Sequence, residues 1–86
     1  MDSWFVYMVR CSDNSLYTGI TTDVSRRVLE HNESGKGAKY TRARRPVCLV
    51  FFEECKTQSE ALKSECQIKS LSKVKKELLI VGSTKN

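Results

Sequence analysis

Few side chains in this sequence are able to do chemistry, and Glu65 is the most conspicuous of them. Wound at about 100° per residue, the helix read from Ala61 to Leu71 gathers Ala61, Leu62, Ile68 and Leu71 into one apolar arc. Glu65 falls near the middle of that arc, while Glu60, Lys63 and Gln67 take the other side. An ionised carboxylate on a core-facing stripe is costly unless it is paired or holds a cation. It must reach a cleft, a metal or a basic partner, and a salt bridge with one of the many Lys and Arg residues is the plain alternative.

A second group lies earlier in the chain. Arg27 and His31 are four residues apart and share one helix face, which on an ordinary surface helix is solvated. Tyr7 and Tyr17 stand in two apolar segments, where a tyrosine is commonly a packed aromatic with its hydroxyl satisfied at the rim. Taken together in a basic chain, these residues fit one reaction. Cleaving a phosphodiester needs an activated water, a charge clamp on the phosphate and usually a divalent metal. A tyrosine, an arginine and a carboxylate can fill those roles.

Cys11, Cys48, Cys55 and Cys66 lack a C-x2-C pair, and His31, the one histidine, is far from any of them in sequence. All four sit in or beside apolar runs and read as small core residues with free thiols.

These groups are positioned by a short list of elements. Trp4 to Cys11, rich in aromatic and β-branched residues, reads as a strand covered on both faces. Ser12 to Ser15 is a turn cluster, and Leu16 to Thr21 a second strand that completes a hairpin. Gly19 inside that strand marks a bulge or a close backbone approach. Thr22 is read as the cap of a helix with Asp23 in its first turn, running to about Asn32 and stopping by Gly35. Gly35 to Pro46 reads as a loop of one-sided charge, with Lys36, Lys39, Arg42, Arg44 and Arg45 around Tyr40 and no acidic residue. Val47 to Cys55 is a third strand. Thr57 and Glu60 form a capping box for the helix to about Leu71, and Ser72 caps a last helix ending at Gly82. The order β-β-α-β-α-α predicts an α+β fold, a small three-stranded antiparallel sheet flanked by helices, in one domain over residues 1–86.

The chain has 86 residues, 15 Lys+Arg against 10 Asp+Glu, and a formal net charge of +5. With 40% hydrophobic residues and one Pro it is not a disordered composition. No apolar run approaches the roughly 18 residues of a membrane span, and the start lacks the form of a signal peptide. The expectation is a cytoplasmic protein whose partners are anionic, nucleic acid first, with no membrane contact.

The order of residues resembles the GIY-YIG nuclease superfamily. Val6-Tyr7-Met8 and Tyr17-Thr18-Gly19 stand at its two signature tripeptides, followed by Asp23-Val24-Ser25-Arg26-Arg27. Leu16 to Val24, the run Gly35-Lys36-Gly37-Ala38-Lys39-Tyr40-Thr41-Arg42, and Ala61 to Glu65 with Ile68-Lys69 are similar to its small single-domain, YhbQ-like branch. Only the tyrosines and the last glycine match the family's name. The region after Ser72 offers no Asn before Asn86, although many relatives carry one there.

The resemblance implies an endonuclease that hydrolyses phosphodiester bonds in DNA, with repair or recombination as the setting it suggests. Tyr7 and Tyr17 flank the attacking water, Arg27 contacts the scissile phosphate, His31 belongs to the active site, and Glu65 holds one Mg2+ or Mn2+. Lys36, Lys39, Tyr40, Arg42, Arg44 and Arg45 are the expected nucleic-acid contacts, with DNA favoured over RNA. The chain is expected as a monomer or weak dimer, targeted by its own loop or by a partner protein. The alternatives are a nuclease fold that binds nucleic acid without cutting, and a protein-interaction domain whose charge keeps it soluble.

Overall fold

The structure is a computed structural model and describes residues 3–83. Strands β1 (Trp4–Arg10), β2 (Leu16–Thr21) and β3 (Cys48–Cys55) form one antiparallel sheet in the order β2-β1-β3. Helix α1 (Val24–Glu33) and a single turn, α2 (Lys39–Arg42), connect β2 to β3. Helices α3 (Gln58–Lys69) and α4 (Lys73–Ser83) follow. The expected α+β architecture is the one observed.

Strand β1 is central, which explains its run of four buried residues, Val6 to Val9. Its alternating side chains divide the interior in two. Val6 and Met8 join Phe51, Cys55, Ala61, Ile68 and Ile80 in a core under α3 and α4. Tyr7 and Val9 face the other way, with Cys11 and Val47, and Tyr17 and Val28 packed against them. The second layer holds the polar groups.

Several boundaries differ from the sequence reading. Asp23, not Thr22, caps α1, because its carboxylate accepts the Arg26 N–H at 3.0 Å. The basic stretch after Gly35 is not a plain loop, since it contains α2. Helix α3 ends at Lys69, two residues before Leu71, with Ser70 as its cap, and α4 runs one residue past Gly82. Thr57 does cap α3, accepting the Glu60 N–H at 3.1 Å, while Glu60 reaches back to the Lys56 N–H rather than to the cap residue. Only two of the four thiols are core residues. Cys11 and Cys55 are buried, whereas Cys48 and Cys66 are exposed on the edge strand and on the outer side of α3. Leu62 is also exposed, as are Leu49 and Phe52 of the edge strand β3. Asn86 lies outside the described residues.

One long-range ion pair ties the last helix to the sheet. Arg10 grips Glu77 with two hydrogen bonds of 2.7 Å, and Lys73 adds a contact of 3.4 Å. Arg10 holds the Glu77 carboxyl down to about 2.

Gly19 answers to the close approach expected of it. It pairs with Tyr7 across the hairpin, and a Cβ there would lie 2.7 Å from the Tyr7 hydroxyl and 3.0 Å from the ring. The Tyr7 side chain therefore crosses over β2 through the space a methyl group would fill. Gly19→Ala is expected to destabilise the fold by about 1–3 kcal/mol and to displace the Tyr7 ring. Urea denaturation measures the first effect, and the chemical shifts of the Tyr7 ring the second.

Candidate active site

Helix α1 presents His31 to the polar layer four residues after Arg27, and neither lies on a solvated face. His31 is 0% exposed and Arg27 is half-buried. The Tyr7 hydroxyl lies 2.7 Å from His31 Nε2, so it is satisfied inside the protein rather than at a rim. On the far side of the imidazole, Nδ1 is 2.9 Å from Thr41 Oγ1, and that hydroxyl donates to the Ala38 carbonyl at 2.9 Å.

Thr41 and the Ala38 N–H, which points at Nδ1 from 3.4 Å, hold the ring from this side. Burial first, then the nearby Arg27 charge, pushes His31 down to about 4, so the ring is neutral at pH 7. Burial pushes the Tyr7 phenol up to about 12, although Arg27 pulls the other way. The pull of Arg27 is thus outweighed by desolvation.

Arg27 is held from two sides. Its Nη1 donates to Glu30 Oε1 at 3.0 Å and to the Lys36 carbonyl at 2.9 Å. Desolvation works against its charge, but Glu30 and then Tyr7 outweigh it, and its pKa is raised. The guanidinium is permanently charged, anchored by Nη1 and set beside the Tyr7 hydroxyl. Tyr17, half-buried on β2, meets the His31 ring edge-on at 5.3 Å and stacks with Tyr40 at 6.0 Å.

Glu65 approaches from α3. It is partly buried and pairs with Lys69, one turn on, at 3.2 Å. The salt-bridge reading is thus realised, yet Lys69 is mostly exposed and the carboxylate lies close enough to Tyr7 to act on its titration. Tyr7, Arg27, His31 and Glu65 are therefore neighbours, with Tyr17 against His31. Among the described residues no three His, Cys, Asp or Glu side chains form a metal cage.

Residues 3–78 match the GIY-YIG catalytic domain. The chain belongs to the GIY-YIG nuclease superfamily. It is 57% identical over 83 residues to UPF0213 protein DP2720 of Desulfotalea psychrophila, covering 96% of this chain and 76% of that one. A UPF0213 protein of Staphylococcus aureus is 59% identical over 80 residues, 93% of this chain and 96% of the relative. The solution NMR structure of UPF0213 protein BH0048 from Bacillus halodurans has a TM-score of 0.59 at 48% identity, covering 92% of this chain and 83% of that one. That of protein EF2693 from E. faecalis has a TM-score of 0.62 at 39% identity, covering 100% and 95%. None of these names states an activity.

The basic segment divides once its contacts are followed. Arg42 donates to the Gly35 and Gly37 carbonyls, and Arg45 to those of His31 and Ser34. Arg44 pairs with Asp13 at 3.0 Å, donates to the Tyr40 carbonyl and covers the Tyr40 ring at 3.9 Å. These three arginines hold the segment's shape, whereas Lys36 and Lys39 are exposed and their ammonium groups make no ion pair among the described residues. The sequence reading missed Thr41, which is 0% exposed and fixes the His31 ring, and Glu30, which aims Arg27. Nothing in the local sequence marks Thr41, because its partner is ten residues away.

His31 has a pKa well below its usual 6.5, so the unfolded chain binds a proton that the folded chain refuses. Stability is full above pH 6.5 and is lost as pH falls towards 4, with a slope of at most about one proton from this residue. Glu77 acts only lower, between its usual 4.5 and about 2. Thermal unfolding from pH 7 to pH 4 is expected to show a falling midpoint. His31→Gln should flatten that part of the curve and leave the decline below pH 4 in place.

Proposed function

We propose that this domain, read as one unit over residues 1–86, is a divalent-metal-dependent endonuclease acting on DNA, with repair or recombination as its setting in the cytoplasm. The observation that carries the reading is the meeting of Arg27, Tyr7, His31 and Glu65 in one partly enclosed site. A lone Tyr–His pair would be a structural contact. An anchored guanidinium and a carboxylate beside it make an arrangement for a phosphate and a cation.

In this reading Arg27 clamps the scissile phosphate with the N–H groups that Glu30 and Lys36 leave free. Tyr17, the more exposed of the two phenols, faces substrate and orients the water. Tyr7 is a neutral hydrogen-bond partner in the resting site. At about 12 its phenol carries only about one part in 100,000 of phenolate at pH 7. Its hydroxyl lies within hydrogen-bond reach of the neutral His31 ring, which Thr41 and Ala38 hold from the far side.

Glu65 fits a hard cation, since it is an oxygen donor held partly out of water. Mg2+ commonly needs few protein ligands and keeps several waters. Such a cation, Mg2+ or Mn2+, supplies positive charge that stabilises the phosphate in the transition state and favours phenolate at a neighbouring tyrosine. Lys36 and Lys39 extend the electrostatic footprint, and the domain acts as a monomer or weak dimer, with a partner protein available for targeting.

Cleavage of single-stranded, duplex and branched DNA, and of RNA, in Mg2+ and in Mn2+ tests this directly. Arg27→Ala and Glu65→Ala are each expected to cut the rate by about 100- to 1,000-fold. Activity that survives both substitutions sinks the assigned site, and binding without cleavage on every substrate leaves a nucleic-acid-binding module.

A further inference from the structure

Beside the catalytic cluster, at the outer edge of β2, lies an open cleft of about 240 Å³ lined by Leu16, Tyr17, Thr18, Tyr40, Lys69 and Lys76. It shares Tyr17 with the site above, and Lys69 is the partner of Glu65. Its chemistry differs from that of the basic segment, whose arginines are committed to carbonyls.

Three observations single it out. Lys76 is half-buried, yet it makes no ion pair among the described residues. The adjacent carboxylate, Glu77, is taken by Arg10 and Lys73, and Glu65 is taken by Lys69. Its stem is partly covered while the neighbouring carboxylates are already paired, so an anion in the cleft would supply a counter-charge. Thr18, also on the wall, is 3% exposed, and its Oγ1 is a buried hydroxyl without a hydrogen-bond partner among the described residues. Finally, the Tyr40 ring is already engaged by Arg44 and Tyr17, so it is a wall rather than a platform for a base. Two lysines from different helices and an unspent hydroxyl suit a phosphate better than a nucleobase.

We propose that this cleft seats a backbone phosphate of the nucleic-acid strand beside the one being cut, with Lys76 as its principal contact and Lys69 as the second. This rests on the nucleic-acid reading above and deepens it, since it runs the strand along the β2 edge, past Tyr17, towards α4. Lys69 then has two neighbours, Glu65 and the strand, and couples the cation site to substrate position.

The test is binding of a short fluorescein-labelled DNA duplex by anisotropy, in EDTA, across a range of salt concentrations. Lys76→Gln is expected to weaken binding about 5-fold at low salt and to flatten the log–log salt slope by about 1. Lys76→Arg should retain both. Lys63→Gln, on an exposed part of α3 outside the cleft, should change neither. Lys69→Gln, a more exposed position, serves if circular dichroism shows the Lys76 variant unfolded, and the same loss is expected. Unchanged affinity in Lys76→Gln, an equal loss in Lys63→Gln, or no binding by the unaltered protein overturns the proposal. The assay involves no cleavage. A protein that binds through Lys76 but never cuts loses the nuclease reading and keeps the cleft. One that cuts normally with Lys76→Gln indifferent loses the cleft alone.

Discussion

The buried hydrogen bond between the Tyr7 hydroxyl and His31 is the contact on which the site depends. It joins the central strand to α1, and through Thr41 it reaches the short α2 turn, so three parts of the chain are fixed by one imidazole. Each link is inside the protein, where an unmade hydrogen bond is far more costly than a made one is favourable. The network exists only because Gly19 leaves room for the Tyr7 ring to cross β2, and because Gly37 lets the backbone pass His31, where a Cβ would meet its Cα at 2.9 Å. The ring's neutrality follows from the same burial.

Around that network the charges sort by task. Arg42, Arg44 and Arg45 bond to backbone carbonyls or to Asp13 and act as staples for a segment that carries little apolar material of its own. Arg27 is stapled too, but through one nitrogen, which leaves a donor edge at the site. The net charge of +5 is therefore a poor guide to where an anion is met. Charge that is already hydrogen-bonded holds structure, while Lys36, Lys39 and Lys76 are among those that carry no counter-ion among the described residues and are left for a partner.

Much of the fold was legible in the residues. The β-branched and aromatic run of Trp4 to Arg10 and the turn before Leu16 mark a hairpin, and the Thr57–Glu60 pair marks the start of α3. The misses share a cause. Thr22 and Asp23 are both good caps, and only the local backbone chooses between them. Cys48 and Cys66 look like core residues in an apolar context, but β3 is an edge strand and Cys66 faces outward from α3. Periodicity identifies an apolar stripe without saying how much of it a small sheet covers, and so Leu62 is exposed although it belongs to the stripe.

By itself the sequence determined the element order, the two tyrosines on one hairpin, the Arg27–His31 spacing on one helix and a carboxylate on the inner stripe of α3. These are local matters, dictated by turn chemistry and by periods of 2 and 3.6 residues. Only the tertiary structure decided that the Arg27–His31 face is covered, that Thr41 holds the imidazole, that Glu65 sits by Tyr7, and that the loop arginines are spent on carbonyls while Lys76 is not. Those outcomes depend on contacts between residues far apart in the chain, and on desolvation, which a sequence does not contain until the layers close over it.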